Sequence, residues 1–197
     1  MEVDEAIDEI AAAVESSGLL LVHDQRLPSA TALVAGEPVL GSWWSHVEAN
    51  TIYNALEALE DRIPTIKLVS GKLTLIAPRL WPDLVAIGSA GLPWQLDRLS
   101  TEETALFVRI EAASDPVLLD TPDLRTAGKR LEQRLLAIGE TVHTDEGHHL
   151  KALRSWDAWA DERAVASPFP ESSEAMARFE SIVDGWESQA ASLLPWT

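Results

Sequence analysis

"IKLVSGKLTLI", residues 66–76, sets the architecture of the first half of the chain. Two apolar runs flank Ser70-Gly71, and a two-residue turn containing glycine joins antiparallel strands. Such a turn pairs Leu68 with Leu73 and Ile66 with Leu75. Side chains along a strand alternate with a period of two, so these four residues share one face, which is expected to be buried. Lys67, Lys72 and Thr74 fall on the other face. The stretch therefore predicts a hairpin with two lysines on its outer side.

Upstream of the hairpin the periodicity changes to that of a helix. Ile7, Ile10, Ala11 and Val14 recur at i, i+3, i+4 and i+7 and predict a helix over 4–17, ended by Ser16-Ser17-Gly18. "LLLV", 19–22, reads as a short strand or a buried connection. A short helix over 29–35 lies between Pro28 and Gly36. In "GSWWSHVEAN", 41–50, Ser45 and Glu48 have the S-x-x-E spacing of a capping box. Trp44 then precedes the cap as an apolar staple, and Ile52, Tyr53, Leu56 and Leu59 form the helix stripe. This reading puts His46 in the first helical turn, where it would face an anion.

Downstream, "PRLWPDLVAIG" gives a short helix opening at Pro82 and closing at Gly88, and 88–98 reads as a linker. Ser100 and Glu103 form a second capping box before Leu106, Phe107 and Ile110. Thr121 with Pro122 starts a helix whose stripe is Leu124, Ala127, Leu131, Leu135 and Ile138, terminated by Gly139. Residues 140–153 leave two readings open. One is a hairpin turning at 145–147 that pairs Thr144 with His148 and Val142 with Leu150. The other is a helix starting near His148. "SPFPE", 167–171, breaks the chain before a final amphipathic helix over 172–193.

Composition limits the function classes. The 197 residues carry a net charge of −17, 46% hydrophobic residues, eight tryptophans against one tyrosine, and no cysteine. Thiol chemistry, disulfides and cysteine-held metal clusters are excluded. No apolar run reaches the length of a membrane span, and the acidic start lacks the pattern of a secretory signal, so the expected location is the cytoplasm. The charge opposes non-specific binding to nucleic acid, yet it is unevenly spread. Residues 62–79 carry +4 and 125–154 carry +2, leaving −23 on the remainder.

Two parts of the chain share an order: a capped helix, a glycine-turn hairpin, then a tryptophan (Trp81 and Trp156). This order resembles that of a tandem winged-helix protein. It implies an α+β fold of two winged-helix-like units, 1–92 and 93–166, followed by a C-terminal helix, 167–197. The second unit has little room for a middle helix between 113 and 121. The segments "GSWWSH", "KLVSGK" and "RLWP" also resemble a family of uncharacterised bacterial proteins, in which a proline follows the histidine where this chain has Val47. That resemblance carries no activity across.

The winged-helix resemblance places a recognition helix at 121–138, with Arg125, Lys129, Arg130 and Arg134, and a wing with Lys67 and Lys72. These six residues are the candidate contacts to double-stranded DNA, and the expectation is a non-enzymatic DNA-binding protein. Other expected partners are a protein or a second copy joined through the C-terminal helix, and no cofactor is expected. The alternative is an acidic protein-interaction adaptor on the same fold. Neutralised arginines would favour the adaptor, and a contiguous positive face would favour DNA. Trp43, Trp44 and His46 form a candidate ligand or anion site. His143 and His149, opposite each other in the second hairpin, are weak metal-ligand candidates for a metal-dependent enzyme. No G-x-S-x-G, P-loop or dinucleotide fingerprint occurs, so no catalytic residue is nominated.

Overall fold

The computed structural model describes residues 1–143, 149–186 and 190–197, without the side chains of His143, His149, Ala190 and Ala191. The fold is α+β, with two small three-stranded antiparallel sheets and a helix near the C-terminus. The chain divides into two compact units. The first comprises residues 1–81, 177–195 and 197, and the second 82–176 and 196.

The first unit opens with α1 (Val3–Ser17), β1 (Leu19–Leu21), α2 (Ala30–Ala35) and α3 (Ala49–Leu59). The strands β2 (Thr65–Lys67) and β3 (Leu73–Ile76) follow, and the sheet order is β1-β3-β2. The helical stripes meet as their periodicity predicts: Ile10 and Val14 of α1 pack with Ile52, Ala55 and Leu59 of α3 over Leu20 and Leu75. Ser29 caps α2 by accepting the amide of Ala32, and Gly36 closes it in the left-handed conformation.

The hairpin turns at Ser70-Gly71 as expected, both with positive φ, and the Lys72 amide donates to the Val69 carbonyl. The register differs from the expectation by one residue: Ile66 faces Thr74 and Lys67 faces Leu73. The cause is a β-bulge. Leu68 has an αR-like backbone, and its amide donates to the carbonyl of Lys72, so Leu68 and Val69 together oppose that one residue. The faces shift with it. Leu73 is exposed and Thr74 fully buried, and the Thr74 hydroxyl donates to the Lys72 carbonyl.

In the second unit, α4 (Trp81–Gly88, from Pro82 onward) and α5 (Pro93–Leu96) lead to α6 (Thr101–Glu111). The capping box of α6 forms as read, with Ser100 and Glu103 exchanging backbone bonds. Then come β4 (Val117–Leu118), α7 (Pro122–Gln133), β5 (Ile138–His143), β6 (His149–Arg154) and α8 (Trp156–Glu162), with sheet order β4-β6-β5. Thr121 caps α7 by accepting the Leu124 amide. The helix ends at Gln133, short of the expected 138. Leu135 turns to positive φ, and Ile138 and Gly139 enter a strand instead of closing the helix. The hairpin reading of 140–153 holds: Val142 pairs with Leu150 and His143 with His149. The expected turn at 145–147 and the Thr144–His148 pair lie outside the described residues. The final helix, α9 (Ser172–Asp184), ends before the expected 193.

Candidate functional site

Residues 40–53 of the first unit contain the feature that burial does not explain. Trp43–Ser45 form one 3-10 turn, and α3 begins only at Ala49. The capping box expected at Ser45 and Glu48 is absent. The Ser45 hydroxyl donates instead to the Ser42 carbonyl at 2.8 Å. His46 is extended, half-buried and outside the helix, and its Nδ1 accepts the Glu48 amide at 3.2 Å. That bond needs Nδ1 unprotonated and turns the ring to local structure rather than to an anion.

With no staple contact to make, Trp44 stays outside. Of the eight tryptophans, all within the described residues, Trp44 alone is exposed, at 62%. It stacks on half-buried Trp43 with centroids 4.0 Å apart and meets Tyr53 at 5.8 Å. Leu40 before the turn is 78% exposed, Val47 after it 90%, and Tyr53 on α3 44%. The Tyr53 hydroxyl donates to Glu57 at 3.1 Å, and that bond with the carboxylate's charge holds the phenol above its ordinary pKa. Glu48 accepts from Thr51 and from the N-terminal ammonium, which keep its carboxyl below the ordinary range.

A polar network holds this turn in place. His23 bonds the Thr31 hydroxyl through Nδ1 at 2.9 Å and the Gly41 carbonyl through Nε2 at 3.0 Å, tying the start of the tryptophan turn to α2. Next to it, Asp24 is 8% exposed. Its Oδ1 accepts the amides of Arg26 and Leu27 at 2.8 and 2.9 Å, and its Oδ2 accepts from Lys72 at 2.5 Å. Burial alone would raise this carboxyl. Lys72 and the two amides outweigh it and bring the pKa to about 2. An open cleft of about 720 Å³ runs past His23, Asp24, Arg26, Trp43, Lys72 and Leu73. Neither His23 nor Asp24 was legible as a site residue, because the side-chain and loop partners that place them here, Thr31, Gly41 and Lys72, lie 8 to 48 positions away.

The six candidate DNA contacts fall in both units. In the first, Lys72 is committed to Asp24, and Lys67 is half-buried on β2 and also partnered. In the second, Arg130 pairs with Glu103 at 3.6 Å. Arg134 donates to the carbonyls of Trp94, Gln95 and Asp97 at 3.0, 3.0 and 2.7 Å. Buried Gln95 returns bonds to the carbonyls of Arg134 and Leu135, and Trp156 donates to Leu135 at 2.7 Å. These bonds satisfy carbonyls past the last turn of α7, which would otherwise lack partners. Arg125 and Lys129, one turn apart on α7, are exposed and make no ion pair with the described residues.

His143 and His149 face each other in register, and their side chains lie outside the described set. Among the described residues no group of three or more histidines or carboxylates is placed to hold a metal ion. No described helix is long and apolar enough to cross a membrane. No family model, no curated protein and no solved structure matches the chain.

Proposed function

We propose that the chain is a protein-interaction module, the acidic adaptor of the two sequence readings, and that it binds its partner through the face around Trp44. The observation that carries this is exposed Trp44, stacked on half-buried Trp43 and meeting exposed Tyr53, with exposed Leu40 and Val47 on either side of it in the sequence. Tryptophan and tyrosine are enriched among residues that dominate binding energy, and an exposed apolar cluster on a soluble surface marks an interaction site. The winged-helix-like reading suits this role. In each unit the third strand lies between the first and second, the order a winged helix uses. Such scaffolds host protein contacts as well as DNA contacts.

The charge arrangement also supports the adaptor. Lys72 and Arg130 are neutralised by carboxylates, and Arg134 serves backbone carbonyls. Arg125 and Lys129 keep the DNA reading as a second proposal, since they are exposed on one face of α7. The test is quantitative co-purification from the organism that makes the chain, comparing wild type, Trp44→Ala and a Lys129→Glu/Arg125→Glu pair. A protein lost with Trp44→Ala and retained with the charge reversals is expected. Loss only with the charge reversals, together with salt-sensitive binding of mixed-sequence duplex, would overturn it in favour of DNA.

A further inference from the structure

We infer that the face around Trp44 receives a basic amphipathic segment of its partner, an inference that rests on reading that face as the partner-binding surface. From Leu27 to Asp61 the chain runs 35 residues without a lysine or arginine, and it holds Glu37, Glu48, Glu57, Glu60 and Asp61. The exposed apolar side chains Leu40, Trp44, Val47 and Tyr53 all lie inside this stretch. The acids reach it in space as well. Glu57 bonds the Tyr53 hydroxyl directly, and the charge of Glu60 also reaches that phenol. Glu37, Glu57 and Glu60 are exposed. The face is thus apolar around Trp44 and negative along its Tyr53 side, where Glu57 and Glu60 stand, while Asp24, Arg26 and the Asp24-paired Lys72 line the cleft on its Trp43 side.

That pattern selects among occupants. A second copy meeting the same face across a two-fold axis would set its acidic side against an identical one. An anionic lipid surface would meet the same repulsion. A segment with apolar residues on one side and lysines or arginines on the other satisfies both parts of the face. Its apolar side covers Trp44, Val47 and Leu40, and its cations meet Glu57 and Glu60. This is the complementarity by which amphipathic helices dock into apolar grooves with charged borders.

The probe is a short fluorescein-labelled helix-forming peptide with leucine and tryptophan on one face and lysine on the other. A glutamate analogue with the same apolar pattern and a scrambled lysine peptide of the same charge accompany it. Anisotropy is read at about 50 and 300 mM salt. The amphipathic lysine peptide is expected to bind and to weaken at higher salt. It should lose about tenfold or more in affinity on Trp44→Ala, with a parallel loss on Glu57→Gln/Glu60→Gln. Val47→Ser, at a 90% exposed position where a substitution changes stability little, is expected to weaken binding in the same direction.

Equal affinity for wild type and Trp44→Ala would overturn the inference, because binding would then be general attraction to an acidic surface. So would equal binding of the glutamate analogue, a Trp44-dependent dimer in light scattering, or Trp44-dependent binding to phosphatidylcholine vesicles. A Trp44-dependent partner whose contacting segment is acidic or neutral would leave the interface standing and remove its basic occupant.

Discussion

Replacing Asp24 by asparagine tests whether the Asp24–Lys72 pair is a structural joint of the first unit. Asparagine keeps an oxygen for the amides of Arg26 and Leu27, but it turns an amide donor toward the Lys72 ammonium, which donated to Oδ2. The carboxyl lies at about 2 in the folded protein against an ordinary 3.8. A pKa lowered on folding contributes stability above the unfolded value and loses it as pH falls through the folded one. The difference corresponds to about 2 kcal/mol at pH 7, about half of that at pH 3, and little by pH 2. Asp24→Asn is therefore expected to lower the melting temperature by about 4–8 °C at pH 7, with the gap to wild type narrowing by about half at pH 3. Thermal unfolding of both proteins across pH 3–7 reads this, and the comparison removes carboxyls common to both. A gap as wide at pH 3 as at pH 7, or no gap at pH 7, would refute the reasoning.

Three further outcomes follow from the second unit. A methyl group at Gly88 would stand 2.2 Å from the Trp156 ring, whose neighbours fix it. Gly88→Ala should therefore destabilise by at least about 1–3 kcal/mol, measured by urea unfolding. Ser100→Ala removes the cap of α6 and should cost about 1 kcal/mol in the same assay. Glu111 is raised by partial burial and then by the charge of Asp157, so its ionised form is the less stable one in the fold. Glu111→Gln should raise the melting temperature at neutral pH, and the gain should vanish below the ordinary glutamate range, where both states are protonated.

Several elements were legible because their causes are local. Ser100 and Glu103 cap α6 from three residues apart, and Ser70-Gly71 turns where a positive φ is demanded twice. The same S-x-x-E spacing at Ser45 and Glu48 misleads, because Ser42 offers the Ser45 hydroxyl a carbonyl inside a competing 3-10 turn. That one exchange moves the helix start to Ala49 and leaves Trp44 outside. The hairpin register was hidden for another reason. A bulge at Leu68-Val69 inserts a residue that alternation cannot see, and it trades the burial of Leu73 for that of Thr74. The end of α7 depends on Gln95 and Trp156, 40 and 21 positions from Leu135, so no pattern within the helix foretells it. The basic residues were visible as types. The commitment of Lys72 to Asp24, of Arg130 to Glu103 and of Arg134 to backbone carbonyls depends on tertiary neighbours.

The most direct measurement of the interaction account is site-specific photo-crosslinking in the organism that makes the chain, with the reactive group at position 47 and, in a second protein, at position 129. The account predicts a discrete protein adduct at 47 that disappears when Trp44→Ala is added, and none at 129. A nucleic-acid adduct at 129 with none at 47 would contradict it.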